Sequence, residues 1–308
     1  MKRLIIDTDP GVDDAHAILL ALAHPDVQVE AITTVNGNVG IDLTTANALK
    51  ILDAAEKDIP VYRGCSRPLV NSLVHADYVH GLDGLGDCNL PASKRQVESE
   101  HAVQALIRLA NENPGEITLA AIGPLTNLAV ALSIDPELPG KFRQLVVMGG
   151  AIYSKGNTET VTAEFNIHTD PEAAHIVFSS WPMLTLLSWE TTLAHVFHRD
   201  VLNRFFSLGT PRARFFHDTN QKILEFIHNR LGQDILFAPD GLALAAAVEP
   251  EIVTSSEKKY VTIELHGSQT RGQTVVDWYD RMKKPPNTEI IHAVDQERFI
   301  QLMENGLR

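Results

Sequence analysis

The chain has 308 residues, of which 44% are hydrophobic, so it can bury a large core without a disulfide scaffold. Its formal net charge of -13 argues against a nucleic-acid partner, because an acidic surface repels a phosphate backbone. The two cysteines show no zinc-site spacing, no apolar run reaches the about 20 residues that cross a bilayer, and no signal-peptide pattern is present. We therefore expect a cytoplasmic protein with no membrane partner. The acidic charge does not disfavour a small neutral or cationic substrate.

Short apolar runs alternate with segments of helical spacing in the first half of the chain. This alternation predicts strands at 4–6, 27–35, 59–62, 117–122 and 145–148, and helices at 12–22, 43–55, 97–111 and 125–132. The stretch 63–96 carries Gly, Pro, Asp and Asn, which is typical of a long loop.

The second half continues the alternation and then becomes mostly helical. Asp170 and Pro171 predict a capped helix start before 172–179, a strand follows at 183–187, and helical segments continue to residue 248. Strand-like runs at 260–265, 274–278 and 289–293 precede a closing helix at 295–307. We predict one α/β domain over residues 1–308, with a Rossmann-like core of a central, mostly parallel but mixed sheet flanked by helices. Ligands of such sheets bind beyond the carboxyl ends of the strands.

The densest chemical signal follows the first predicted strand, where residues 7–14 read DTDPGVDD. Four carboxylates lie within eight residues, and such a cluster is tolerable only if a cation offsets the charge or some groups are protonated. Helix capping explains one or two of the four carboxylates. Hard oxygen ligands favour calcium or magnesium over zinc.

A strand that ends in DxD is also typical of haloacid-dehalogenase-type phosphatases, in which the first Asp is the nucleophile and the second an acid/base. In this chain Pro10 does not fit that pattern, and the Asp13-Asp14 pair comes earlier in the sequence than the acidic pair of those phosphatases. The phosphatase is kept as the rival enzyme class.

Five segments together resemble the inosine-uridine nucleoside hydrolase family. Besides DTDPGVDD, the chain carries in the family's order TVNGN at 34–38, AIGPLTN at 121–127, VMGG at 147–150, and AEFN at 163–166 followed by DPEAA at 170–174. The resemblance spans residues 3 to about 280, and it implies the nucleoside hydrolase fold and hydrolysis of the N-glycosidic bond of ribonucleosides to ribose and free base.

The resemblance also implies a role for each matching residue. Asp9 would be the general base for the attacking water and a calcium ligand, together with Asp14, the carbonyl of Thr126 and the carboxylate of Asp240. The residues expected around the ribose and the base are Asp13, Asn38, His80, Met148, Asn157, Glu164, Asn166 and Asp240. A homodimer or homotetramer is what the family suggests.

The chemistry of the expected reaction fits these residue types. Cleavage passes through a ribosyl cation-like state, which dense negative charge stabilises. Calcium is a weaker acid than zinc, so a carboxylate base is needed to take the proton from water. Direct attack by water predicts inversion at the anomeric carbon, by analogy with inverting glycosidases.

One departure from the family affects the leaving base. Where many members carry His-Asp, this chain has Pro239-Asp240, and proline can neither donate a proton nor stack on a purine. His217 and His228 recur on one face of a predicted helix, so either one is a hypothetical contact to the base, although a solvated helix face is an equal alternative. Trp189 and Trp278 could stack on a purine, but core packing is favoured for both.

The missing histidine keeps a third class of function open, a non-catalytic, calcium-dependent nucleoside-binding protein. Against it, Asp9 is retained, and a pure binder has less need for a base beside the water. The sequence leaves the preferred nucleobase and the oligomeric state undetermined.

Overall fold

Strands and helices alternate along the chain, and the computed structural model describes all of residues 1–308. The strands are β1 (Lys2–Thr8), β2 (Val27–Thr34), β3 (Val61–Arg63), β4 (Ile117–Ala121), β5 (Gln144–Met148), β6 (Leu184–Leu187), β7 (Phe197–His198), β8 (Ile235–Leu236), β9 (Val253–Lys259), β10 (Val261–Ile263), β11 (Thr274–Val276) and β12 (Thr288–Val294).

Helices connect most of these strands and cover the sheet that they form. They are α1 (Val12–Ala23), α2 (Ile41–Ala55), α3 (Asp77–His80), α4 (Ala102–Glu112), α5 (Thr126–Ile134), α6 (Phe165–Thr169), α7 (Pro171–Ser180), α8 (Trp189–Ala194), α9 (Arg199–Phe206), α10 (Pro211–Leu231), α11 (Pro239–Val248) and α12 (Gln296–Leu307). None of the helices is long and apolar enough to cross a membrane.

The central sheet has eight strands in the order β3-β2-β1-β4-β5-β6-β12-β9. All neighbouring pairs are parallel except β12 and β9, which are antiparallel, so the sheet is mixed as predicted. The chain runs outward from β1 through β2 to β3, and then returns to the other side of β1 to add β4, β5 and β6. The strand order therefore reverses between β1 and β4, and in open α/β sheets ligands bind at this reversal.

Both faces of the sheet are buried, because the side chains of each strand alternate between two cores. In β1, Leu4 and Ile6 point into a core of 48 buried residues, whereas Ile5 points into a second core of 32 buried residues. Helices α1, α11 and α12 contribute to the first core, and α4, α5 and α7 contribute to the second. Continuous apolar strands are thus explained by helices on both sides.

The structure differs from the sequence prediction mainly in polar segments. Strand β9 was not predicted, because its residues 254–258 are polar and exposed at the edge of the sheet. The predicted loop 63–96 contains the four-residue helix α3, and the helix predicted from residue 97 begins at Ala102. The capped start at Asp170 is confirmed, since its side chain accepts a hydrogen bond from the backbone N–H of Ala173.

Candidate active site

A cavity of about 330 Å³ opens beyond the carboxyl ends of the central strands. Its wall includes Asp13, Asn38, Ile122 and Met148, which follow or end β1, β2, β4 and β5 respectively. One end is acidic and polar, and the other is apolar and aromatic. The cavity therefore lies where the reversal of strand order predicts a ligand.

Three carboxylates meet at the acidic end of the cavity. Single oxygens of Asp13, Asp14 and Asp240 lie within 4.8 Å of one another. Asp13 and Asp14 come from the first turn of α1, and Asp240 from the first turn of α11. All three are buried or nearly so, so their mutual repulsion is poorly screened, and a cation among them would relieve it.

Asp9 lies outside this closest group of three carboxylates. Its Oδ2 accepts a hydrogen bond of 2.7 Å from the backbone N–H of Asn38, whereas its buried Oδ1 has no hydrogen-bond partner. Two glycines make room for the carboxylate, because a Cβ atom on Gly37 would lie 2.0 Å from Oδ2 and one on Gly123 would lie 2.6 Å from Oδ1. The unpartnered oxygen is the feature expected of a group that binds a cation or a water.

Asp14 accepts three hydrogen bonds, one on Oδ1 and two on Oδ2. The hydroxyl of Thr8 donates to Oδ1, and the backbone N–H of Gly11 (2.9 Å) and the side chain of Asn38 (3.1 Å) donate to Oδ2. Asn38 thus links Asp9 and Asp14 through one backbone and one side-chain group. Such support orients acidic side chains that approach a metal.

Burial raises the pKa of all four acidic residues of this region. The pKa of Asp13 and of Asp14 rises to about 6, while burial and the neighbouring charges raise the pKa of Asp9 and of Asp240 well above the ordinary range. Without a cation the cluster therefore resists full ionisation. The buried unpartnered oxygens Asp9 Oδ1 and Asp13 Oδ1, together with a donor set made only of oxygen, fit a hard divalent cation.

Thr126 begins α5, directly after the loop that follows β4. Its hydroxyl donates a hydrogen bond of 2.7 Å to Asp170 Oδ2, and Asp170 also caps α7. The side chain of Thr126 is therefore committed to the fold, and its backbone carbonyl is the group left for the predicted role as a ligand.

His80 is buried at the end of α3 and lines the cavity. Its Nδ1 accepts a hydrogen bond of 3.2 Å from the backbone N–H of Val12 and lies 3.7 Å from Asp13 Oδ1. An acceptor at Nδ1 places the proton of the neutral ring on Nε2. Burial lowers the pKa of His80 to about 4, so the ring is neutral near pH 7.

The predicted sugar-binding residues at the end of β5 and beyond it also reach the cavity. Met148, Asn157, Glu164 and Asn166 all line it. Glu164 caps α6, and its oxygens accept hydrogen bonds from the backbone N–H groups of Gly150, Asn166 and Ile167. Burial nevertheless raises the pKa of Glu164 to about 7. Asn166 donates from Nδ2 to the carbonyls of Ile122 and Met148, which leaves its Oδ1 without a protein partner.

The structure places His228 outside the cavity wall, which corrects the hypothesis that this histidine contacts the base. Its side chain is 59% exposed and hydrogen-bonds Asp234, and the exposed ring of His217 contacts Phe206. The face of α10 that lines the cavity instead carries Ile223, Phe226, Ile227, Arg230 and Leu231. Which face of α10 lines the cavity depends on tertiary packing, which the spacing of polar residues does not indicate.

The apolar end of the cavity was largely missed by sequence reasoning. Tyr78, Phe226 and Phe237 line it, and Trp189 does so as well, packed against Phe237 at 5.4 Å between ring centroids. Trp278 instead stacks on Tyr153, outside the cavity. Aromatic residues in helices and loops resemble core residues in a sequence, so no motif distinguishes these positions. Pro239 lines the cavity beside Asp240.

The family model described as "Inosine-uridine preferring nucleoside hydrolase" matches residues 4–301. Among curated relatives, Pyrimidine-specific ribonucleoside hydrolase RihB of Escherichia coli is 35% identical over 307 residues, which cover 100% of this chain and 97% of the relative.

Solved structures show the same likeness. A plant nucleoside hydrolase aligns with a TM-score of 0.93 and 34% identity, covering 99% of this chain and 98% of that chain. An inosine-guanosine nucleoside hydrolase aligns with a TM-score of 0.92 and 35% identity, with the same coverage. A purine-preferring ribonucleoside hydrolase from Gardnerella vaginalis aligns with a TM-score of 0.91 and 30% identity, again covering 99% and 98%. The relatives thus share the fold and differ in the base that their names specify.

Proposed function

Because the chain belongs to the inosine-uridine preferring nucleoside hydrolase family, we propose that it hydrolyses the N-glycosidic bond of ribonucleosides with Asp9 as general base and calcium as cofactor. Family membership makes the chain an enzyme that acts on N-glycosyl bonds, and it removes the phosphatase alternative. The base, the metal and the roles of single residues belong to the proposal. Residues 1–308 are taken as a single nucleoside hydrolase domain.

The observation that carries the proposal is the buried group of carboxylates beside a nucleoside-sized cavity. Asp13, Asp14 and Asp240 bring oxygens within 4.8 Å of one another, and Asp9 leaves one buried oxygen without a partner. A cluster with raised pKa values and unpartnered oxygens is costly unless it binds something positive. A cation and a substrate that becomes cationic both meet this requirement.

The proposed metal ligands are Asp9, Asp14, Asp240 and the carbonyl of Thr126. Calcium is favoured over zinc because every proposed donor is oxygen, with no histidine or cysteine among the acidic group. When bound, calcium would lower the pKa of water and chelate the vicinal hydroxyls that distinguish ribose from deoxyribose.

The residues of the chain account for the rest of the reaction. Asp9 takes a proton from the attacking water, and the carboxylates around the sugar stabilise the positive charge that develops on the ribose ring. The proposed sugar contacts are Asp13, Asn38, Met148, Asn157, Glu164 and Asn166, and the proposed contact near the base is His80. Attack by water from one face predicts inversion at the anomeric carbon.

The experiment is a panel of ribonucleosides incubated with the purified protein in calcium, in magnesium and in EDTA, followed by measurement of released ribose. We expect ribose release that EDTA abolishes and calcium restores, and calcium should also raise the melting temperature, because a ligand of the native state stabilises it. Ribose release that is indifferent to EDTA would contradict the metal assignment.

A second candidate function rests on Pro239, which lines the cavity where many family members have a histidine. A calcium-dependent nucleoside-binding protein would retain the sugar and metal contacts without turnover. Calorimetric binding of a nucleoside in calcium with no ribose released from any member of the panel would support this alternative and overturn the hydrolase. The predicted homodimer or homotetramer stays a prediction.

A further inference from the structure

One basic side chain stands at the apolar end of the cavity. Arg230 is the sole lysine or arginine among the residues that line it. Arg230 is exposed at this end, its guanidinium lies 5.8 Å from the ring centroid of Phe226, and it forms no hydrogen bond or ion pair with the protein. Because no protein group binds this guanidinium, its N–H donors are available to a ligand of the cavity.

An aromatic pair from two helices lies beside this guanidinium. Arg230 and Phe226 are four residues apart on α10, so their side chains lie on the same face of the helix. Tyr78 in α3 packs against Phe226, and their ring centroids are 5.8 Å apart. A basic residue in the last turn of a helix also complements the helix dipole, but the dipole does not require contact with the cavity or with an aromatic ring.

The reaction creates a need for positive charge at this end. When water bonds to the anomeric carbon, the electron pair of the C–N bond passes to the base nitrogen, and one water proton passes to Asp9. The base then leaves as an anion unless a proton or a cation reaches it. Pro239 can donate no proton, whereas a guanidinium is charged at every physiological pH and presents several N–H donors to carbonyl oxygens.

We propose that Arg230 contacts the nucleobase and stabilises the negative charge that develops on it during departure. Phe226 and Tyr78 provide the aromatic surface against which the planar base packs. The anion is protonated by solvent after release, so the step needs no general acid at position 239. This inference rests on the proposed hydrolase function, and it adds a catalytic residue that the sequence motifs do not contain.

The test compares two leaving groups in the wild type, in Arg230→Met and in a control, Arg214→Met. Arg214 lies on the same helix, is exposed and does not line the cavity. For uridine and inosine we expect Arg230→Met to lower kcat on the order of 100-fold, as for loss of one charge-stabilising donor. For p-nitrophenyl β-D-ribofuranoside, whose leaving group is stable as an anion, we expect a loss of less than about threefold.

Arg230→Lys keeps the charge and should recover part of the lost activity on uridine and inosine, while the control should match the wild type. Equal losses on nucleosides and on the nitrophenyl riboside, or no loss on either, would overturn the role of Arg230. If the wild type releases no ribose from any of the three substrates, the hydrolase proposal itself fails. Matching melting curves would show that the variants are folded.

Discussion

The backbone N–H of Asn38 donates to Asp9 Oδ2 at 2.7 Å, and this hydrogen bond leaves Asp9 Oδ1 as the unpartnered atom of the carboxylate. The arrangement holds the side chain in one orientation while keeping one oxygen available. Asn38 also donates to Asp14. A single residue in the loop that follows β2 therefore positions two acidic side chains that follow β1. Neighbouring strands therefore cooperate in forming the acidic end of the cavity.

Asp9→Asn should remove the proposed base and retain an oxygen that can accept the hydrogen bond from Asn38. We expect kcat for ribonucleoside hydrolysis to fall on the order of 1000-fold or more, with little change in the melting temperature of the metal-free protein. Steady-state kinetics and thermal melts measure both quantities. Turnover within tenfold of the wild type would rule out Asp9 as the base.

Gly123→Ala tests the space beside Asp9. The new Cβ would lie 2.6 Å from Asp9 Oδ1, so the carboxylate must move, and a displacement of about 1 Å can lower kcat about 100-fold. Gly140→Ala is the matched control, because a Cβ at that position meets no atom within 4 Å. The proposed role of the space would be wrong if the two variants had the same kcat.

His80→Ala and His228→Ala compare a histidine inside the cavity with one outside it. We expect His80→Ala to reduce kcat/KM about tenfold or more, since it removes a cavity-lining ring and leaves the Val12 N–H without its acceptor. His228→Ala should stay within about twofold of the wild type, as for an ordinary surface substitution. A larger loss for His228→Ala would restore the base contact first predicted for it.

The metal-free protein should lose stability as the pH rises from about 5 to about 7.5. The folded-state pKa values of Asp13 and Asp14 rise to about 6 and that of Glu164 to about 7, all above their unfolded values. In this window the unfolded chain has already released protons that the folded chain still holds, so each pKa unit of difference costs about 1.4 kcal/mol.

Melting temperatures in EDTA at constant ionic strength measure this effect, and saturating calcium should reduce the slope. A melting temperature in EDTA that rises steadily from pH 5 to pH 7.5 would contradict the prediction. Glu164→Gln should flatten the curve in EDTA, because glutamine does not titrate.

Much of the fold could be predicted from apolar periodicity, because the strands of the central sheet are buried on both faces. Strand β9 escaped prediction since an edge strand needs no apolar face, and its exposed polar residues resemble a loop. Helical segments were expected up to residue 248, but the face that α10 (Pro211–Leu231) buries depends on packing that no local pattern specifies.

The two ends of the cavity also differ in how far the sequence predicts them. The acidic residues 9, 13 and 14 stand in one short motif, so their proximity could be inferred from the sequence alone. Asp240 was located only through resemblance, and Tyr78 of α3 meets Phe226 of α10, the neighbour of Arg230, only in the tertiary structure. Motifs therefore predicted the acidic end of the cavity, and the structure was needed for the apolar end.

The carboxylates of the acidic group come from opposite parts of the chain, with Asp13 and Asp14 in α1 and Asp240 in α11. During synthesis the first two emerge long before the third, so a nascent chain cannot assemble the group until most of the chain has been synthesised. Cation binding would then occur late in folding. It would stabilise a nearly complete structure and would not nucleate folding.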